Sequence, residues 1–137
     1  MCQLTCCALW FALVGAGETP VTAGQQELFP IEQSIFHLTN LERARYGLPA
    51  FEVDFALINS ARAHAIWMTQ NHTLQHTSQP VAENIAMGQQ TSEEVVQCWM
   101  NSAGHRANIL NGSHRRIGVA AYQMPGGVIF WCQQFRN

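Results

Sequence analysis

The chain has 137 residues, 47% of them hydrophobic and 12% charged, with seven Lys or Arg against nine Asp or Glu and a formal charge of -2. That length suits one domain and that apolar content suffices for a core, while no linker, charge run or repeat divides the chain; one folded core is expected. The one local basic cluster, His114-Arg115-Arg116, is too short for the electropositive stripe that nucleic acid demands and reads as a solvated loop.

From the N-terminus, residues Leu4 to Gly17 contain the run Ala8-Leu9-Trp10-Phe11-Ala12-Leu13-Val14. It has the length and polarity of a signal-peptide apolar region and falls short of the roughly 20 residues that span a membrane. Small residues at Val14-Gly15-Ala16 and Val21-Thr22-Ala23 offer cleavage positions, although no Lys or Arg precedes the run. Residues 1–23 are therefore expected to be a leader and 24–137 a single domain. The protein is then secreted, extracellular or periplasmic, monomeric, and without a transmembrane span once mature. A buried N-terminal segment is the alternative reading of the same run. Removal of a leader takes Cys2, Cys6 and Cys7 with it and leaves Cys98 and Cys132. Export favours a disulfide between these two; the other reading is a pair of small buried hydrophobes.

Ile31, Ile35, Leu38, Leu41 and Ala44 recur on one helical face, so a first helix is expected over Ile31 to Tyr46, ended by Gly47 and Pro49. Asp54 stands where it can cap a second helix from Phe55 to Asn71, with Leu57, Ile58, Ala61, Ala65 and Met68 inward. His72 to Gln90 shows no sustained period and holds Pro80 and Gly88; a long ordered loop or short strands are expected there, and such loops are often functional. Thr91-Ser92-Glu93-Glu94 is a capping box opening a third helix to about Ala103, with Val95, Cys98, Trp99 and Ser102 on one side and Gly104 ending it. A short turn over His105 to Leu110 follows. Ile117 to Gln123 and Val128 to Phe135, joined by Met124-Pro125-Gly126-Gly127, should form an antiparallel hairpin. Helices followed by such a pair imply an α+β fold with helices packed on a small sheet.

Asn40-Leu41-Glu42-Arg43-Ala44-Arg45, Ala61-Arg62-Ala63-His64-Ala65-Ile66-Trp67-Met68, His76-Thr77-Ser78, Ala82-Glu83-Asn84-Ile85-Ala86-Met87-Gly88 and the stretch Cys98 to Leu110 stand in order along the chain. Gly118-Val119-Ala120 and Phe130-Trp131-Cys132-Gln133-Gln134-Phe135 close it. This ordered set, covering about residues 33 to 136, resembles the CAP superfamily of secreted proteins in the form common among its bacterial members. The resemblance implies a three-layer α/β/α sandwich with a small antiparallel sheet, and a central groove in which eukaryotic members place two His and two Glu. His76 matches the first His and Glu83 the Glu of the Glu-Asn motif. The second Glu position is Ser102 and the second His position is Phe130, so half of that ligand set is absent, and Ala82 replaces the motif's Gly.

His76, Glu83, Asn84, Ser102 and His105 are thus the expected groove residues. An imidazole and a carboxylate hold Zn²⁺ only if a third ligand joins them, and His105 is the candidate, placed where helix amides oppose its protonation. The competing structural reading has His76, Glu83 and Asn84 hydrogen-bonding one another to pin the long loop. Ser102 and His105, three apart, could be nucleophile and base, but no Gly-x-Ser-x-Gly elbow occurs and Ser102 reads better as a capping or packing residue. Trp99, Trp131, Phe130 and Phe135 read as core aromatics, or as walls of a sterol or fatty-acid crevice. His37, His64 and His72 are expected to be exposed or locally hydrogen-bonded. Asn71-His72-Thr73 and Asn111-Gly112-Ser113 fit the N-glycosylation pattern, relevant only in a eukaryotic secretory host. Two functions compete: a non-enzymatic binding or signalling module for a small ligand, lipid or peptide, and a zinc-assisted hydrolase using His76, His105 and Glu83 as ligands, with Glu83 alternatively the general base.

Overall fold

The structure, a computed structural model, describes residues 26–137. The expected leader, residues 1–23, lies outside the described residues. Helix α1 (Pro30–Arg45) opens with Pro at its first position, and the Phe29 amide donates to Glu32 Oε2 at 2.8 Å. Its buried face is Glu32, Ile35, Thr39 and Arg43, rotated from the expected apolar stripe, with Leu41 exposed. The cause is that two charged side chains find partners inside. Glu32 receives Arg62 Nε at 2.7 Å, and Arg43 donates to the carbonyls of Pro49 (2.8 Å), Ile109 (2.7 Å) and Asn111 (3.0 Å) while lying 3.8 Å over the Phe51 ring. Gly47, at φ +69°, ends the helix as expected.

Strand β1 (Glu52–Val53) leads into α2 (Phe55–Gln70), which Asp54 caps by accepting from the amides of Ala56 at 2.9 Å and Leu57 at 3.2 Å. All five residues expected to face inward on α2 are buried. The irregular segment after it holds one strand, β2 (Ala82–Met87). Helix α3 (Ser92–Asn101) is capped by Thr91 Oγ1, which accepts from the Glu94 amide at 3.1 Å; the Glu94 carboxylate turns to the Gln90 amide at 2.8 Å, so the reciprocal half of the expected box goes one residue astray. Extended backbone at Ser102 stops α3 two residues before Gly104, which sits inside α4 (Ala103–Ile109). Strands β3 (Arg116–Gln123) and β4 (Ile129–Arg136) form the expected hairpin.

The sheet runs β1-β3-β4-β2, antiparallel through its three long strands, with a two-residue parallel pairing at the β1 edge. Helix α2 packs on β3 and β4 from one side; α1, α3 and α4 pack together on the other, giving three layers. One face buries Ala61, Ala65, Met68, Ile85, Phe130 and Cys132, and the opposite one is built around Ile35, Val95, Trp99, Val119 and Trp131. The four expected core aromatics are all buried, with the Trp99 and Trp131 indoles donating to the carbonyls of Ile85 (3.2 Å) and Gln89 (3.0 Å).

The expected disulfide is not formed. Cys98 and Cys132 are both free. Cys98 is on the exposed side of α3, away from Val95 and Trp99, with Gln89 Nε2 3.6 Å from its sulfur. Cys132 is buried on the α2 face of the sheet, so the sheet itself stands between the two thiols.

Candidate functional site

Successive residues of a strand point to opposite faces, and that alternation divides the expected site at Glu83 and Asn84. Strand β2 pairs with β4 so that Glu83 stands opposite Gln134 and Asn84 opposite Gln133. Glu83 faces α2. Its side chain is 3% exposed and its carboxylate collects donors from three directions. Oε1 accepts from His76 Nδ1 at 2.8 Å and from the Thr77 amide at 2.9 Å, while Oε2 accepts from Gln134 Nε2 at 3.0 Å with Cys132 Sγ at 3.6 Å. Burial, then the charge and hydrogen bond of Glu83, push the Cys132 thiol well above its ordinary value, so it stays protonated and donating.

Asn84 faces the other way and is fully buried. Its amide donates to the His105 carbonyl at 3.1 Å and to Gln133 Oε1 at 3.2 Å, and its own oxygen accepts from Asn108 Nδ2 at 2.9 Å. Gln133 passes the chain on to Thr39 Oγ1 at 2.7 Å, and Thr39 to the Ile35 carbonyl at 2.7 Å. This polar string fastens β2 and β4 to α4 and α1. Asn84 is therefore a structural anchor and lines no solvent-filled groove, which corrects the expected single cavity. Ser102 is the hinge between α3 and α4: its amide donates to the Trp99 carbonyl at 3.1 Å and its carbonyl accepts from the Arg106 amide at 2.8 Å.

His105 touches both clusters: its carbonyl accepts from Asn84, and its ring feels the charge of His76. Its Nδ1 is buried without a partner among the described residues, and burial, together with the nearby His76 charge, lowers its pKa from the ordinary 6.5. The proposed zinc set is not assembled: among the described residues no three His, Cys, Asp or Glu side chains converge on one ion. Glu83 is already saturated by protein donors, and the family's second His position is Phe130, buried in the core at 1% exposure. These residues do not fit a resident metal ion of that kind.

His64, expected only to be exposed or locally hydrogen-bonded, stands beside Glu83. It lies on α2 with its side chain 10% exposed, Nε2 2.7 Å from the Gln75 carbonyl and 3.8 Å from Glu83 Oε2, and its ring stacks on Trp67 at 5.8 Å and 8°. A carbonyl only accepts, so His64 Nε2 carries a proton; a carboxylate only accepts, so His76 Nδ1 does too. In the neutral His76 ring the Nε2 lone pair is then left for an outside donor, and this side chain is 60% exposed. An open depression of about 500 Å³ lies here, lined by His64, Trp67, Gln75, His76, Thr77 and Ser78. Two signals pointed this way: the Gln133-Gln134 pair inside an otherwise apolar strand, and the His64/Trp67 spacing of three on a helix. A second groove, between α1 and α3 and floored by Leu38, Val96 and Met100, contains none of the expected site residues.

Residues 36–135 match the sequence model of the CAP family, described as the cysteine-rich secretory protein family. An uncharacterized Bacillus subtilis protein, YkwD, is 37% identical over 131 aligned positions, covering 83% of this chain and 50% of the relative. A second B. subtilis relative, the uncharacterized membrane protein YlbC, is 30% identical over 105 positions, 64% of this chain and 30% of that protein. The chain thus spans half or less of the length of these curated relatives. Among solved structures, an extracellular SCP-domain protein of Bacillus anthracis superposes with a TM-score of 0.69 at 28% identity, covering 82% of this chain and 45% of that one.

Proposed function

Because this chain belongs to the CAP family, the cysteine-rich secretory proteins, we propose that it is an exported, non-enzymatic binding module whose recognition face is the depression around His64, Trp67 and His76. Export is supported by the extracellular description of the B. anthracis relative and by the apolar run at residues 8–14; no helix among the described residues is long and apolar enough to cross a membrane. The observation that carries the reading is the saturation of Glu83. A general base needs a free lone pair and a reachable proton, whereas this carboxylate is buried under the His76, Thr77 and Gln134 donors. What it does instead is hold His76 in one tautomer with Nε2 outward. No Ser, Thr or Cys side chain among the described residues hydrogen-bonds either His64 or His76, so the imidazoles have no nucleophile to activate. The resulting surface offers fixed hydrogen-bonding groups beside an indole, which is the make-up of a recognition site for a small ligand, lipid or peptide.

The test is an NMR fragment screen of the purified full chain, using short peptides, acyl chains and polar small molecules, alongside casein and p-nitrophenyl ester hydrolysis with and without Zn²⁺. Fragment hits should move the Trp67 indole and His76 ring resonances, with no turnover above buffer. Turnover that vanishes in both His76→Ala and Glu83→Ala, with circular dichroism unchanged, would overturn the reading.

A further inference from the structure

We propose that the surface flanking the His64–Trp67 stack is a site for a neutral oligosaccharide, a β-linked chain of hexopyranoses with equatorial substituents laid across the indole. This rests on the reading that the depression is the recognition face, and names the class of ligand it takes.

Trp67 is 40% exposed although its helix neighbours Ala65 and Met68 are fully buried, so the indole contributes little to the core. The largely buried His64 imidazole stacks nearly parallel to the Trp67 ring and backs it, so the indole itself is the exposed aromatic platform here. Depressions lie against this platform in two places. The first, of about 500 Å³, is bounded by Gln75, His76 and Ser78; the second, of about 240 Å³, by Ser60, Ala63 and Gln79; both share His64, Trp67 and Thr77. A ligand longer than one ring can therefore occupy both while crossing the platform.

The chemistry of the lining selects the class. Neither depression has a Lys, Arg, Asp or Glu among its lining residues, so phosphate, sulfate or ammonium groups meet no permanent opposite charge, the two imidazoles being the only titratable side chains there. The Glu83 carboxylate behind them is buried and saturated. Apart from Trp67 and Ala63 the lining is polar, which leaves an acyl chain no channel, and no lining residue lies on a strand to which an extended peptide could pair. What remains is a set of groups that donate and accept: the Gln75 and Gln79 amides and the Ser78 hydroxyl, whose side chains have no hydrogen-bond partner among the described residues, and the outward His76 Nε2. Sugar hydroxyls also both donate and accept. A pyranose whose substituents are all equatorial presents a face of polarised C–H bonds, which matches the negative face of an indole.

The experiment is a titration of the isotopically labelled full chain with the β-1,4-linked tetramer of N-acetylglucosamine and with cellotetraose, followed at the Trp67 indole and the His76 ring. Saturable shifts there, with the buried Trp99 and Trp131 indoles unmoved, are expected. Trp67→Ala should weaken binding by about tenfold, the scale of one lost aromatic contact, while Trp67→Phe keeps most of it. Gln75→Ala, on the loop and away from the helix packing, should also weaken binding, which guards against a Trp67 variant that fails to fold. No saturable shift at millimolar saccharide, or binding untouched by Trp67→Ala, overturns the proposal. A proline-rich tetrapeptide or myristate moving these resonances where the sugars do not would overturn the saccharide class and leave the binding-module reading standing. Cleavage of the tetramer during titration would do the reverse.

Discussion

Gly118 of β3 lies directly beneath Leu57 of α2: a Cβ built at residue 118 would fall 2.1 Å from the Leu57 carbonyl carbon and 2.4 Å from the Ile58 nitrogen. Both neighbours are backbone, so neither can rotate away, and α2 would have to lift from the sheet. Gly118→Ala is expected to cost roughly 3 kcal/mol or more, at the upper end of overpacking effects. Urea unfolding of the pure variant reads this; a midpoint equal to wild type would refute the close seat.

Arg43 is fully buried, and burial followed by the nearby Arg115 charge lowers its pKa, yet its guanidinium still serves carbonyls from the 49 and 109–111 segments. Arg43→Met would fill much of the volume and leave those carbonyls unpaired, at a cost of about 3 kcal/mol. Arg43→Lys should recover only part of the loss, because a single ammonium cannot copy the planar fork. Thermal unfolding of the two variants side by side gives the ordering.

Acid sensitivity should pass through Asp54. Burial by itself raises its pKa, but hydrogen bonds from the Leu57 amide, Arg136 and the Ala56 amide outweigh that, and the net direction is downward. A carboxylate lowered on folding contributes stability that is complete above its unfolded value of about 3.9 and is lost as pH falls through the folded one. Asp54→Asn should therefore flatten the acid limb of a stability profile. Asp54→Ala, which also removes the helix cap, should cost about 1 kcal/mol at neutral pH.

His105 works in the same sense from a different group. Its folded pKa lies below the ordinary value, first through burial and then through His76, so the unfolded chain takes up a proton first. Stability is complete above about pH 6.5 and declines as pH falls through that value. In an NMR titration the His105 ring midpoint should lie below that of a model peptide. In His76→Gln it should rise part of the way back, since burial persists when the neighbouring charge is gone.

The cysteines give a chemical readout of the fold. Native protein treated with a maleimide should be labelled at Cys98, whereas Cys132, buried and with its thiol pKa raised, should react only after denaturation. Peptide mapping separates the two sites. Recovery of a Cys98–Cys132 cross-linked peptide from unreduced protein would contradict the placement of these residues on either side of the sheet.

What could be read in the sequence was local. The Asp54 and Thr91 caps, the turn at Gly47, the hairpin around Gly127 and the α2 face depend on neighbours within a few residues, and all five are present. The His76–Glu83 bond belongs to the structural reading in which His76, Glu83 and Asn84 hydrogen-bond one another; that pair forms, whereas Asn84 bonds His105, Gln133 and Asn108 instead. The misplaced parts depend on residues far apart in the chain. Glu32 and Arg43 stand off the stripe of Ile31, Ile35, Leu38, Leu41 and Ala44, yet Arg62 and the 109–111 carbonyls reach them, and that exchange turns α1. Asn84 was placed beside Glu83 because the motif makes them adjacent, yet adjacency in a strand means opposite faces. The sequence leaves a Cys98–Cys132 disulfide and two buried hydrophobes as open alternatives, because it does not show the sheet that separates them; Cys132 alone is buried. His64 joined the site through the fold-back of the 75–79 loop, which no helical period reveals.

Among the described residues α2 is the sole helix on its side of the sheet, seated on Gly118 and bound to the loop opposite by the His64 contact with the Gln75 carbonyl. A ligand docking there, as proposed, would meet an outer contour whose two segments are already tied together and would have little slack to take up. Ligands would then forfeit little entropy to ordering of the protein, and would be told apart chiefly by how slowly they leave.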